Sequence, residues 1–109
     1  MSFGFTEKQF NIILGIISKY SEIEEAIIFG SRADGTNKEA SDVDIAIKCS
    51  ALGFHIRARL LTDFEESSLP FFFDVVDFNG NRNEKLKGHI DNFGKVFYKK
   101  GTTILNAEF

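Results

Sequence analysis

The sequence predicts an α/β fold of the α+β kind, a small sandwich with helices packed on one face of a three- or four-stranded mixed sheet. Two patterns in the sequence predict it. Apolar residues recur at helical spacing in three segments and fill short runs in three others, and polar stretches rich in Gly, Ser, Asp and Asn separate these segments. The 109 residues fit one domain, and a hydrophobic fraction of 43% supports a small core.

Three segments have the pattern of helices. The first spans about residues 6–20, where Thr6 and Gln9 have the spacing of a capping box. The second spans about residues 54–66 and ends before Pro70. The third begins near residue 83, and Gly94 either ends it or bends it. Their predicted inner faces comprise Phe10, Ile13, Leu14 and Ile17; Ile56, Leu60, Leu61 and Phe64; and Leu86, Ile90, Phe93 and Phe97.

Three segments have the pattern of strands. Residues 25–29 form a short buried run, and residues 42–48 alternate polar with apolar side chains. Residues 71–78 are apolar on both faces apart from two aspartates, which favours a central position in the sheet. The stretch 30–41 is predicted to be a loop or a brief helical turn, and residues 99–109 a frayed tail.

Composition excludes several classes of protein. The net charge of −3 argues against general, direct nucleic-acid binding, and no apolar run approaches the ~18 residues of a membrane span. The single cysteine, Cys49, has no internal partner for a disulfide, which is typical of a reducing compartment. No secretory signal is visible at the N-terminus, so the cytoplasm is the expected location.

Carboxylates gather in two of the strand-like segments. Asp42 and Asp44 stand two apart, so both project from one face of a strand, about 7 Å apart at the backbone. If the strand at 71–78 lies beside this one, Asp74 converges on the same point. Carboxylates gathered in this way repel one another, and Mg²⁺ removes the conflict because it prefers carboxylate and phosphate oxygens. The pattern therefore predicts a magnesium site, and two such ions would support in-line attack on phosphorus.

A glycine–serine pair precedes these aspartates. Gly30 has no side chain, so a phosphate can approach the backbone, and the Ser31 hydroxyl with the N–H groups after it can hold phosphate oxygens. Arg32 is a candidate clamp on a triphosphate because a guanidinium binds phosphate in a bidentate manner; a solvated loop charge is the other interpretation. Ser31 has no His and Asp arrangement that would make it a nucleophile.

Other polar residues are interpreted as structural. Asp77 lies at the end of its strand and is predicted to be a solvated or structural carboxylate rather than a third ligand. His55 and His89 have no partner at the spacing of a metal site or a catalytic triad, so both are predicted to be surface residues. An Asp-x-Asp motif alone is common on exposed strands and turns, so the prediction depends on the whole set in its order along the chain.

The spaced motif resembles the signature of a known superfamily. FGS at residues 29–31, followed after ten residues by DVDI at residues 42–45, resembles the signature of the DNA polymerase β-type nucleotidyltransferases. The short loop and the serine before the first aspartate are similar to one branch, the minimal nucleotidyltransferases, and the similarity covers nearly the whole chain. The resemblance implies a nucleotidyltransferase palm-like fold in a single domain over residues 1–109.

The resemblance also implies an activity and a site. The family transfers a nucleoside monophosphate, usually AMP from ATP, to an acceptor hydroxyl. By this resemblance Asp42, Asp44 and Asp74 bind Mg²⁺ and carry the catalysis, while Gly30 and Ser31 hold the triphosphate. Asp74 matches the third carboxylate because a Val-Val or Leu-Val pair follows it in the family, here at residues 75–76.

The implied partner is a protein. Minimal members resemble the antitoxin half of two-gene modules whose other half is an all-helical HEPN-type RNase toxin, and such an antitoxin can add AMP to a tyrosine of the toxin. Because 109 residues leave room for a catalytic half-site and little else, the acceptor is expected on another molecule, in a hetero-oligomer with that partner.

One position departs from the family and keeps other hypotheses open. Minimal members commonly have Arg where this chain has Asp34, which replaces a cation near the phosphates with an anion. With 13 Phe residues in a small chain, the departure supports a second hypothesis: a non-catalytic module that neutralises a helical partner by occlusion. A third is a small-molecule nucleotidyltransferase, such as an antibiotic-modifying enzyme, which usually needs a second domain.

Overall fold

A four-stranded mixed sheet is the centre of the fold in the computed structural model, which describes residues 3–38, 41–50 and 53–101. The strands lie in the order β3-β2-β1-β4; β1 is antiparallel to β2 and β4, and β2 is parallel to β3. The predicted fold class is confirmed. The elements are α1 (Glu7–Ser18), β1 (Ile23–Phe29), α2 (Ser31–Asp34), β2 (Val43–Cys49), α3 (Gly53–Glu66), β3 (Phe73–Asp77), α4 (Glu84–Phe93) and β4 (Lys95–Lys99).

The first helix begins where its capping residues predict. The Gln9 backbone N–H donates to Thr6 Oγ1 at 3.1 Å, and the Thr6 N–H donates to Gln9 Oε1 at 2.9 Å. This reciprocal pair satisfies two backbone donors that a helix start leaves without partners. The buried side of α1 then consists of Phe10, Ile13 and Ile17.

The sheet has a larger core on one face and a smaller one on the other. Strand alternation sends Val43, Ile45 and Ile47 of β2 towards α1 and α3, where they join the larger core. Ala46 points the opposite way and packs with Ile90 of α4. The smaller core comprises Ile27, Phe29, Ala46, Phe78 and Ile90.

The structure corrects several expectations about the second half of the chain. Strand β3 lies at an edge of the sheet and not in the predicted central position, since among the described strands only β2 pairs with it. The prediction that the helices pack on one face of the sheet is wrong for α4. Helices α1 and α3 pack on one face, and α4 packs on the opposite face. The predicted third helix ends at Gly94, which is one of the two predicted alternatives: the Gly94 N–H donates to Ile90 O at 2.8 Å, and extended backbone at Gly94 leads directly into β4. Phe97, which the helical pattern included, is a buried residue of that strand.

Smaller expectations have mixed outcomes. The segment after β1 contains a brief helical turn, α2, as one of the two predicted alternatives. Cys49 is a buried free thiol, and burial raises its pKa to about 11. The predicted tail lies mostly outside the described residues, apart from the end of β4 and residues 100–101. Within the described part of the chain, every helix is too short or too polar to cross a membrane.

Candidate functional site

Strand register brings two of the predicted carboxylates together. Asp44 on β2 pairs with Asp74 on the parallel neighbour β3, and on its other side it pairs with Phe29 at the end of β1. Paired residues of adjacent strands project from the same face of a sheet, so the two carboxylates share one face. This face of the sheet also carries α4. At the end where the two carboxylates lie, Asp74 is exposed and Asp44 is half-buried.

The electrostatics of Asp44 show that the third aspartate belongs to the same group. Burial raises the pKa of Asp44, and the nearby carboxylates of Asp74 and then Asp42 raise it further. Like charges act in this way only at short range, because solvent screens distant ones. Asp42, Asp44 and Asp74 therefore form one acidic cluster, and a cation would relieve the repulsion within it.

The donor set fits a magnesium ion that arrives with a nucleotide. Within residues 3–38, 41–50 and 53–101, no group of three or more His, Cys, Asp or Glu side chains is arranged to hold a metal ion. Mg²⁺ rarely uses such an all-protein cage; one or two carboxylates hold it, and water and phosphate oxygens complete its shell. The acidic cluster supplies oxygen donors only and lies open to solvent at Asp42 and Asp74.

Gly30 brings the end of β1 against the acidic cluster. Its backbone has φ 75° and ψ −153°, a conformation that side chains disfavour. An ideal Cβ built there would lie 2.5 Å from Asp44 Oδ2. Only a residue without a side chain fits so close to the carboxylate, and Ser31 follows immediately as the first residue of α2. The structure thus brings the predicted Gly–Ser pair and the aspartates to one end of the sheet.

The structure gives Arg32 a different place from the predicted one. Its side chain is 1% exposed, and its guanidinium packs against the rings of both Phe5 and Phe71, 4.7 and 4.5 Å from their centres. Nη1 donates to Phe3 O at 2.9 Å and Nη2 to Ser41 O at 3.0 Å. The guanidinium is inside the protein and not on the open face with the carboxylates, so in this structure it does not reach a phosphate bound there.

The remaining polar candidates lie outside the acidic cluster. Asp77 projects from the opposite face of β3 to Asp74, and its Oδ1 is buried without a hydrogen-bond partner among the described residues. The Asp34 carboxylate accepts from Thr36 N at 2.9 Å and from Thr36 Oγ1 at 2.6 Å; these bonds lower its pKa. The anion at this position therefore closes the turn after α2. His55 and His89 are exposed, as predicted.

Comparisons with known proteins show which family the sequence matches. A family model described as "Polymerase beta, Nucleotidyltransferase" matches residues 11–103. A relative from Haemophilus influenzae (strain ATCC 51907 / DSM 11121 / KW20 / Rd), named "Probable protein adenylyltransferase MntA", is 36% identical over 77 residues. The match covers 70% of this chain and 67% of the relative.

Solved structures share the fold. A crystal structure of a toxin–antitoxin with AMP-PNP superposes with a TM-score of 0.70 at 25% identity, covering 84% of this chain and 73% of that chain. A mutant of the toxin–antitoxin MntA-HpeT has a TM-score of 0.67 at 23% identity, covering 89% and 75%. At this identity the second likeness shows the fold alone.

Proposed function

Because this chain belongs to the polymerase beta nucleotidyltransferase family, we propose that it transfers AMP from ATP to a hydroxyl group of a partner protein. The observation that carries the proposal is the register of Asp44 with Asp74, beside the glycine that ends β1. Two similar proteins support the choice of nucleotide: one is named a protein adenylyltransferase, and a toxin–antitoxin structure contains AMP-PNP.

Each residue of the site has a separate task in the proposal. Asp42, Asp44 and Asp74 would hold Mg²⁺ together with phosphate oxygens of the nucleotide, and the ion would neutralise phosphate charge and make the α-phosphorus easier to attack. Gly30 leaves space for phosphate oxygens beside the backbone, and the Ser31 hydroxyl donates to one of them. The work of the protein is positioning and charge neutralisation, as in other phosphoryl transfers.

Strand order sets the direction of the reaction. The β- and γ-phosphates lie towards Gly30 and Ser31 after β1, with the α-phosphorus at the acidic cluster. In-line attack then requires the acceptor hydroxyl on the opposite side, at the edge strand β3 that carries Asp74. The hydroxyl oxygen bonds to the α-phosphorus, the bond to the bridging oxygen breaks, and pyrophosphate leaves. Asp74 is the carboxylate nearest that side, and we assign to it the proton of the attacking hydroxyl.

An exposed aromatic side chain on the acceptor side supports a protein acceptor. Phe72 precedes Asp74 by two residues and is 83% exposed. Its carbonyl accepts from Val43 N at 2.9 Å, which continues the pairing of β2 with β3 towards Asp42. A protein segment carrying the acceptor hydroxyl can cover this ring. We propose that the partner is a HEPN-type toxin of the cytoplasm and that the acceptor is a tyrosine.

Label transfer tests the proposal. The chain is incubated with Mg²⁺, ATP radiolabelled at the α-phosphate and the helical protein encoded by the neighbouring gene. We expect label on a partner tyrosine, and we expect the double variant Asp42→Asn, Asp44→Asn to transfer at least about 10³-fold less, since it removes two of the magnesium ligands. Asp91→Asn removes a single exposed carboxylate on α4; it is the control for the loss of a surface charge and should transfer like the wild type.

A second candidate function has its own observation. Phe72 and Phe93 are 83% and 62% exposed, which suits a chain that neutralises its partner by covering it. If the double variant neutralises the partner as well as the wild type and neither transfers label, binding alone explains the function. Label that depends on Mg²⁺ and on the two aspartates contradicts that alternative.

A further inference from the structure

Arg32 is the largest fully buried side chain in the described part of the chain and the one buried residue there that is polar or charged. Burial strips water from the guanidinium and lowers its pKa. A buried arginine is rare because its desolvation is costly, and an apolar side chain of similar volume fills such a space at less cost. The arginine therefore supplies something that an apolar residue cannot.

The guanidinium contacts the segments that lead into both carboxylate-bearing strands. Nε and Nη2 both donate to Ser41 O, at 3.2 and 3.0 Å, and Ser41 directly precedes Asp42. The guanidinium carbon lies 4.5 Å from the ring centre of Phe71, three residues before Asp74. One planar group thus touches the start of β2 and the approach to β3.

Further contacts fix the guanidinium itself. Nη1 donates to Phe3 O at 2.9 Å, and the ring of Phe5 lies 4.7 Å away. Phe5 and Phe71 also pack against each other, with ring centres 5.5 Å apart. Within the chain, Arg32 follows the Gly30–Ser31 pair, so its own backbone belongs to α2. The side chain therefore has a defined position relative to all three parts of the proposed site.

We propose that Arg32 is a positioning residue that sets the spacing of the acidic cluster, an inference that depends on the proposed function. Its two donors hold the Ser41 carbonyl and so fix the position of the backbone that leads into Asp42 and Asp44. The face of the guanidinium packs against Phe71 and so fixes the position of the segment that leads into Asp74. The three carboxylates repel one another, and without this link only the pairing of β2 with β3 opposes that repulsion at the starts of the two strands.

Two substitutions separate the contributions of the guanidinium. Arg32→Met keeps an unbranched side chain of similar reach and removes every donor. Arg32→Lys keeps the charge and loses the planar fork that gives two bonds to one carbonyl. Ile17→Val and Leu60→Ala lie in the larger core, on the face of the sheet opposite the acidic cluster, and provide losses of stability that leave both hydrogen bonds from Arg32 to Ser41 O in place.

Affinity for ATP, measured by calorimetry with saturating Mg²⁺ at a temperature where every variant is folded, is the readout. We expect Arg32→Met to bind at least about 10-fold more weakly than wild type, about 1.4 kcal/mol, with Arg32→Lys between the two. The core variants should bind within about twofold of wild type even when they lose as much stability. A purely structural role for Arg32 would move the unfolding midpoint and leave this affinity unchanged.

The outcomes distinguish the two proposals. Wild-type affinity in folded Arg32→Met, or in Arg32→Lys if the methionine variant does not fold, overturns the positioning role and leaves the proposed function in place. Absence of magnesium-dependent binding in the wild type itself overturns the proposed function, and the positioning role with it. If the core variants lose as much affinity for ATP as Arg32→Met does, the positioning role is also overturned, because affinity would then follow stability alone.

Discussion

The face of the sheet that carries α4 is apolar and buried at one end and acidic and open to solvent at the other, although the same strands form both ends. At the end under α4, Ala46 and Ile27 are buried against Ile90. Two residues along β2 from Ala46, the half-buried position is Asp44, next to the exposed Asp74. A protein that maximised its own stability would cover this end with apolar residues as well. The contrast fits the proposal that the acidic end binds a ligand, at a cost to the stability of the fold.

The largest expected effect comes from moving the negative charge to the covered end. Ala46→Asp places a carboxylate under α4 without a partner, and it should destabilise the protein by about 3 kcal/mol or more. Asp44→Ala makes the reverse change two residues away and should leave the fold intact. Urea denaturation of both variants measures the difference. Equal stability of the two would mean that the two ends do not differ as described.

An intermediate effect is expected where β1 meets the acidic cluster. Gly30→Ala should destabilise the protein by about 1–3 kcal/mol, because of the positive φ and the approach of the new Cβ to Asp44 Oδ2. Gly35→Ala is the matched control: it also has a positive φ, of 82°, but a Cβ there meets nothing within 4 Å. Thermal unfolding and ATP titration compare them.

The two glycines should differ in binding more than in stability. Both substitutions strain the backbone, but only the one at Gly30 pushes on a magnesium ligand. Gly35→Ala should therefore bind ATP with Mg²⁺ like the wild type, while Gly30→Ala loses most of its affinity. Similar affinities in the two variants would show that the end of β1 plays no part in the site.

The smallest expected effect is a change in the stability of the metal-free protein. The folded state raises the pKa of Asp44 above its unfolded value, so the folded protein binds more protons and loses stability as pH rises through this range. Asp44→Asn should therefore stabilise the metal-free chain at neutral pH by a few tenths of a kcal/mol, because solvent screens the half-exposed charge.

The stability gained by Asp44→Asn should depend on pH, and the direction of that dependence tests the explanation. The gain should be absent below the pKa of an ordinary aspartate, about 3.9, and should reach its full size above the raised pKa of Asp44. Asp91→Asn, which removes an exposed charge on α4, serves as the control. A gain at acidic pH that disappears at neutral pH would contradict the repulsion within the acidic cluster.

The sequence predicted the parts of the fold that depend on local patterns. The capping box of α1 and the strand pattern of β2 each depend on a few neighbouring residues, and the structure confirms both elements. The strand β4 was missed because Phe93 and Phe97 stand four apart, a spacing that fits a helix. Gly94 breaks the helix between them, and pairing with β1 then selects the extended form.

The site shows the same division between local and distant information. Asp42, Asp44 and Asp74 could be grouped from strand alternation and from the motif, and the register of β2 with β3 brings Asp44 and Asp74 together. The place of Arg32 could not be predicted, because Phe5 and Phe71 are far from it in sequence and meet it only in the folded chain. A motif gives residue types in order, whereas burial depends on the whole fold.

Calorimetric titration of ATP, with Mg²⁺ and again with a chelator, tests the central claim most directly. The wild type should bind ATP only when Mg²⁺ is present, and Asp44→Asn and Asp74→Asn should each reduce the affinity at least about 10-fold while remaining folded. ATP binding that is independent of Mg²⁺, or that is unchanged in both variants, would contradict the claim that the acidic end of the sheet holds a magnesium-bound nucleotide.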